Sequence, residues 1–95
     1  MLAARAHYAT AHGSKYLQQL CKHFAHKVEV TYTPEDGRAA LPPGPAHLQA
    51  DPQGLHMHVT AADPEGLERA KHIVEIHLVK FAFREKLEKL DWQAA

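Results

Sequence analysis

Cysteine and histidine are the residues of this chain whose spacing could do chemistry, and both occur within the segment 14–27. Cys21, His23 and His26 carry thiolate and imidazole groups, which are good ligands for zinc or iron. At about 100° per residue in a helix, His26 lies about 140° around the axis from Cys21, so one ion could not easily bind both. Only His23 and His26, three residues apart, are helical neighbours. We therefore interpret Cys21 as a small buried hydrophobic residue rather than as a metal ligand.

A second group of histidines falls on predicted strands: His47, His56 and His58. If residues 51–54 form a loop, Leu48 pairs with Met57 facing inward, and His47 then lies opposite His58 on the outer side, which His56 shares. Opposed Cβ atoms are about 5 Å apart and successive same-face residues about 7 Å apart, within reach of one divalent ion. A solvated strand face is the simpler interpretation, because no residues that would orient the imidazoles are evident. A metal site of these three histidines is the alternative.

The remaining candidates for chemistry are His77, Arg84 and Glu85. His77 lies near the edge of a buried helical stripe and is interpreted as a core histidine satisfied by a hydrogen bond. Arg84 and Glu85 are interpreted as a helix-terminal ion pair or as an anchor for the C-terminal segment. Acid–base catalysis by His77 and Glu85 would require both to face one cleft, and no nucleophile or phosphate-binding glycine loop accompanies them. The sequence therefore favours a protein without enzymatic activity.

The first group is positioned by the clearest helical signal in the chain, residues 14–27. Apolar residues recur at helical spacing and form one buried stripe: Leu17, Leu20, Cys21, Phe24 and Val28. Ser14 is expected to cap the helix, because its hydroxyl can accept a hydrogen bond from an otherwise unpaired N–H. The outer side, with Lys15, Lys22 and Lys27, predicts a solvated basic face or a surface for an anionic ligand or acidic partner.

Alternation of apolar and polar residues predicts five strands, at 3–10, 28–33, 38–41, 46–50 and 55–60. A second helix is expected to begin at Asp63, with Pro64 in its first turn. Its predicted inward stripe consists of Leu67, Ala70, Val74, His77, Leu78 and Phe81.

A second apolar face remains on that helix, formed by Ile76, Val79 and Phe83. Either the C-terminal segment with Leu90 and Trp92 covers it, or a second copy of the chain does; we predict a homodimer. Residues 86–92 fit a continued helix or a short strand, and we predict the strand.

Composition limits the partners. Eleven basic and eleven acidic residues give a formal charge of zero, which disfavours nucleic acid and anionic membranes as ligands. No segment approaches the roughly 20 apolar residues of a membrane span. A single cysteine and the absence of an apolar secretory run lead us to expect a cytoplasmic location.

Two segments together resemble the bacterial domain-of-unknown-function family 2218. The first motif is the L-C-K-H-x-x-H-K run at 20–27, with Cys21, Lys22, His23 and His26. The second motif is the H-L-x-x-F-A-F-R-E run at 77–85, with His77, Arg84 and Glu85, followed by Trp92. This chain has Lys86-Leu87-Glu88-Lys89 where the family pattern has a proline leading to an alternating strand. The resemblance implies a protein without established activity and a neighbourhood of siderophore-interacting flavoproteins, which become the expected partner.

These patterns predict an α+β fold in one domain over residues 1–95. We expect a mostly antiparallel sheet of about five strands with two helices on one face, in the order β-α-β-β-β-β-α and with a further C-terminal strand. The expected function is that of a small bacterial binding or accessory domain associated with iron–siderophore handling, and the resemblance alone implies it. The alternatives are a histidine-liganded divalent-metal domain and a structural homodimerisation module.

Overall fold

Two helices and a six-stranded antiparallel sheet form the protein in a computed structural model that describes residues 1–95. The elements are β1 Leu2–Tyr8, α1 Gly13–Phe24, β2 Val30–Tyr32, β3 Asp36–Ala39, β4 Ala46–Asp51, β5 Gly54–Ala61, α2 Pro64–Phe81, a 3₁₀ helix Phe83–Glu85, and β6 Gln93–Ala94. The strand order is β2-β3-β4-β5-β1-β6, so the first strand lies inside the sheet between β5 and β6. The predicted α+β fold is confirmed, and the sixth strand is the further C-terminal one.

The core lies between the helices and one face of the sheet. The predicted stripe of α1 is buried through Leu17, Leu20, Cys21 and Phe24, and α2 contributes Ala70, Val74 and Leu78. Residues of β5 alternate between this core and the opposite face, with Leu55, Met57 and Val59 buried. The other face of the sheet carries polar side chains and has no helix over it.

The hairpin β4–β5 has the register expected from sequence. Leu48 pairs with Met57 and His47 pairs with His58, while the connection is shortened to Pro52 and Gln53. The N–H of Gln53 donates to the carboxylate of Asp51 at 2.8 Å, which stabilises this tight turn.

The start of α2 is also confirmed, whereas the start of α1 differs from the prediction. The Asp63 carboxylate accepts a hydrogen bond from the Gly66 N–H at 2.7 Å, with Pro64 in the first turn. Ser14 does not cap α1, because the helix begins at Gly13 and the Ser14 hydroxyl donates to the carbonyl of Pro34 at 2.6 Å. The Ser14 hydroxyl thus bonds to a residue distant in the sequence instead of to an N–H in the first turn of its own helix.

Several strand bounds differ from the prediction. Strand β1 ends at Tyr8 instead of residue 10, and β3 spans Asp36–Ala39 instead of 38–41. Strand β2 has only three residues, and Tyr32 remains 38% exposed because β2 is the edge strand of the sheet. A C-terminal strand exists at Gln93–Ala94, where Gln93 pairs with Arg5 of β1. The strand predicted over residues 86–92 is wrong, because those residues form neither strand nor helix. Neither helix combines the length and apolar character that crossing a membrane requires.

Candidate functional site

The two motifs meet in a cleft between α1 and α2. The last turn of α1 places His23 there, and the middle of α2 places His77 opposite it, with ring centroids 4.4 Å apart and planes inclined by 42°. His26 and Lys27, just beyond the end of α1, complete the polar side of the cleft. The structure thus brings together residues that lie more than fifty positions apart in the sequence.

The cleft has a volume of about 400 Å³ and a mainly apolar lining, to which Phe24, Val28, Leu41, Pro42 and Ile73 belong. Phe81 packs edge-on against His23, with ring centroids 5.9 Å apart. Pockets of this size with apolar walls and a few convergent polar groups are typical of small-molecule sites.

In the cleft, a hydrogen bond fixes the tautomer of one imidazole, and the pKa of the other imidazole is lowered. Nδ1–H of His77 donates to the Ile73 carbonyl at 2.6 Å, so in the neutral ring Nε2 is left as an acceptor. Partial burial, together with His77, His26, Lys80 and Lys27 nearby, lowers the pKa of His23 below its usual value. Near neutral pH the His23 ring is therefore uncharged, and the positive charges of Lys80 and Lys27 nearby would be balanced by a bound anion.

The end of the second motif forms a separate cluster. The Glu85 carboxylate accepts hydrogen bonds from the hydroxyls of Tyr8 at 2.6 Å, Tyr16 at 2.5 Å and Thr10 at 3.1 Å. Although partial burial opposes the shift, bonds from Tyr16, Tyr8 and Thr10 lower the pKa of Glu85. Burial and the bond to Glu85 raise the pKa of Tyr16 to about 12, and the pKa of Tyr8 is raised for the same reasons. Glu85 is thus an anchor, the second of its predicted roles.

This cluster separates Glu85 from His77. His77 lines the interhelical cleft, whereas Glu85 is held by groups from β1 and α1. The shared cleft that acid–base catalysis by these two residues would require does not form.

The other motif residues lie outside the cleft. Cys21 is fully buried in the core, where burial and the charge of Asp36 raise its thiol pKa to about 11. Lys22 is exposed on the outer side of α1. Arg84 is exposed as well and lies 5.6 Å from the centroid of the Phe83 ring, within cation–π distance.

The hairpin histidines share the open face of the sheet but have separate partners. His47 Nε2 lies 2.8 Å from Asp36 Oδ1, and His56 Nε2 lies 2.8 Å from Asp51 Oδ2. His56 also stacks on His7, with centroids 4.4 Å apart, whereas His58 is exposed beside Arg5. No three His, Cys, Asp or Glu side chains of the protein form a group that could hold a metal ion. Metal binding by His47, His56 and His58 therefore stays a prediction without a preformed three-ligand geometry.

Two features were not found by sequence reasoning. The hydroxyl cluster at Glu85 joins residues up to 77 positions apart. The one sequence signal for it is that Tyr8 shares a strand face with Ala4 and Ala6. The Glu75 carboxylate accepts bonds from the Leu90 N–H at 2.9 Å and from Trp92 Nε1–H at 3.2 Å, and no local pattern signals this.

Comparison with known proteins supports both the fold and the predicted family. The NMR structure of PA4090 from Pseudomonas aeruginosa matches with a TM-score of 0.81 at 33% sequence identity, over 98% of this chain and 96% of that chain. No curated protein matches the chain. The family model described as an uncharacterized protein conserved in bacteria (DUF2218) matches residues 5–93. Since this match spans nearly the whole chain, the protein belongs to that bacterial family of uncharacterised proteins.

Proposed function

We propose that this protein is a non-enzymatic binding domain whose ligand is a small aromatic acid held in the interhelical cleft. The observation that carries the proposal is the approach of His23 and His77, one from each motif, to 4.4 Å over an apolar cavity of about 400 Å³. A cavity of this kind can enclose one substituted ring.

The polar groups of the cleft define which substituents the ring should carry. Lys27 and His26 lie at the rim and favour an acidic group. Burial is the first cause of the lowered pKa of His23, and the charges of Lys80 and Lys27 add to it, so a bound acid would find positive charge nearby. The acceptor nitrogen of His77 favours a hydroxyl donor. An aromatic hydroxy acid satisfies both requirements.

This ligand class connects the cleft with the siderophore-interacting flavoproteins that the family resemblance implies as partners. Catechol carboxylates are aromatic hydroxy acids, and they are also iron-binding groups. The proposed role in iron–siderophore handling is therefore to bind such a unit without transforming it.

An amide-detected NMR titration with dihydroxybenzoate tests the proposal. We expect saturable shifts at the end of α1 and the middle of α2. His23→Ala should weaken binding about five- to tenfold, the scale of one ordinary hydrogen bond. The matched control is His72→Ala, since His72 is exposed on α2 and does not line the cleft. Absence of saturable shifts, or equal losses in both variants, would contradict the proposal.

The pH dependence of this binding has a defined sign. The pKa of His23 is low in the free protein, and a bound carboxylate must raise it, so binding takes up a proton. We expect affinity to rise as pH falls from about 7.5 to about 5.5, through the usual histidine range. In His23→Ala this part of the pH dependence should disappear.

A further inference from the structure

The open face of the sheet carries a row of basic side chains that the proposed function does not use. Strand register places Arg38 of β3 beside His47 of β4, His47 beside His58 of β5, and His58 beside Arg5 of β1. The row continues to Thr31 on one side and to Gln93 on the other, so it crosses all six strands.

Two shallow depressions flank the centre of this row. One has a volume of about 490 Å³ and includes Arg5, and the other has a volume of about 520 Å³ and includes Arg38. His47 and His58 line both, so the depressions form one trough.

The charges along the trough are unevenly paired. Asp36 is paired with His47, and Asp51 is paired with His56. Neither arginine takes part in an ion pair, because the salt bridges of the protein are these two and Lys71–Glu68. Glu29 and Asp91 lie in the outer linings of the two depressions. Asp36, two residues before Arg38 on β3, is the third carboxylate near the arginines, and the hydrogen bond to His47, together with the charge of Arg38, lowers its pKa.

We propose that this trough binds a small elongated polyanion, with acid groups held by Arg5 and Arg38 and with His47 and His58 beneath its centre. The two arginines stand on strands three spacings apart, about 14 Å, and each side chain can lean inward. Guanidinium groups bind phosphate and carboxylate in the same forked geometry, so the two arginines can bind either acid. The site is independent of the interhelical cleft, which lies on the helical side of the molecule.

Titration at neutral pH with tripolyphosphate in one arm and citrate in the other tests the site. We expect saturable amide shifts along β3, β4, β5 and β1 in at least one arm, and the responding arm identifies the preferred acid. Arg5→Gln and Arg38→Gln should each weaken binding about five- to tenfold, whereas Asp91→Asn should strengthen it. The control is Arg69→Gln, which removes the same charge from an exposed position on α2.

Three results would overturn the proposal. These are a lack of saturable shifts in both arms, an equal loss in Arg69→Gln, and shifts centred on the interhelical cleft. Because the reporting amides differ, failure of this site is distinguishable from failure of the aromatic-acid site.

Discussion

At the scale of single residues, the contact between Gly37 and Cys21 determines how closely α1 approaches the sheet. A Cβ at position 37 would lie 2.7 Å from the Cys21 sulfur and 3.3 Å from Tyr32 Cβ. The first distance is well inside van der Waals contact, and Gly37 and Cys21 are both buried. The helix thus packs against strand β3 at a point where a side chain is missing.

Gly37→Ala should therefore destabilise the protein by about 1–3 kcal/mol, the usual cost of overpacking a core. Urea denaturation of the two proteins measures the difference. The same substitution in a Cys21→Ala background should cost less, because the sulfur that the new methyl group meets is gone. Equal costs in the two backgrounds would show that the contact is not the cause.

Cys21 should be chemically inert in the folded protein. Its side chain is 0% exposed, and burial raises the thiol pKa to about 11, so thiolate is scarce at neutral pH. We expect labelling by a thiol reagent to be slow in the native state and fast in denaturant. Rapid stoichiometric labelling of the native protein would contradict this prediction.

Residue-level predictions succeeded where neighbours along one element decide the outcome. Burial of Cys21 follows from the helical period, and the pairing of His47 with His58 follows from strand alternation. The approach of His23 to His77 was not predictable, because it depends on how two helices cross.

At the scale of elements, Glu85 connects three parts of the chain. Glu85 lies on the 3₁₀ helix after α2, and its carboxylate accepts three hydrogen bonds. The donors are Tyr8 at the end of β1, Thr10 in the following loop and Tyr16 in the first turns of α1. The cluster fixes where the chain leaves α2 and turns towards the C-terminus.

Glu85→Gln should lower the free energy of unfolding by about 1–2 kcal/mol. Hydrogen bonds to a charged acceptor are stronger than neutral ones, but solvent access to this carboxylate reduces the effect. The pKa of Glu85 is lower in the folded state than its usual 4.5. Its stabilisation is therefore present above about pH 4.5 and is lost as pH falls through the folded pKa.

Denaturation curves of wild type and Glu85→Gln at several pH values measure this loss. The stability difference should shrink in acid, and Glu88→Gln, at an exposed position, should show little difference at any pH. Tyr16→Phe should be coupled to Glu85→Gln in a double-mutant cycle. Additive effects would contradict the anchoring role.

The elements themselves were largely predictable, and the exceptions have tertiary causes. Asp63 caps α2 as expected because its partner, Gly66, is local. Ser14 fails as a cap because the Pro34 carbonyl, twenty residues away, takes its hydroxyl. The short terminal strand at Gln93 depends on pairing with β1, which the sequence after Glu85 does not encode by itself.

At the scale of the whole molecule, the C-terminal segment is held to α2 at Glu75 and leaves much of the second apolar face exposed. Leu90 is buried at 7% exposure, and Glu75 holds Trp92 against the helix. Ile76 nevertheless remains 44% exposed and Phe83 65% exposed. Phe83 lies on the 3₁₀ helix just after α2 and not on α2 itself as predicted. Together with Ile76 and the half-buried Val79 it forms what we call the α2 patch.

We predict that the protein forms a weak homodimer in which the α2 patch of one copy meets its counterpart. Full burial of such a side chain contributes about 1.5–3 kcal/mol, and two-fold symmetry doubles the number of side chains involved. Association costs at least about 4 kcal/mol, so we expect dimers at tens of micromolar rather than nanomolar concentrations. Zero formal charge leaves no net repulsion to oppose the pairing.

Sedimentation velocity of the wild type and of Phe83→Glu measures this association. The charge at position 83 should leave a monomer, because a carboxylate would have to be desolvated at the centre of the patch. Tyr32→Glu is the control, since Tyr32 is a comparable exposed aromatic residue on β2, the sheet edge opposite β6. A wild type that stays monomeric at tens of micromolar, or a dimer that Phe83→Glu leaves intact, would contradict association through the α2 patch.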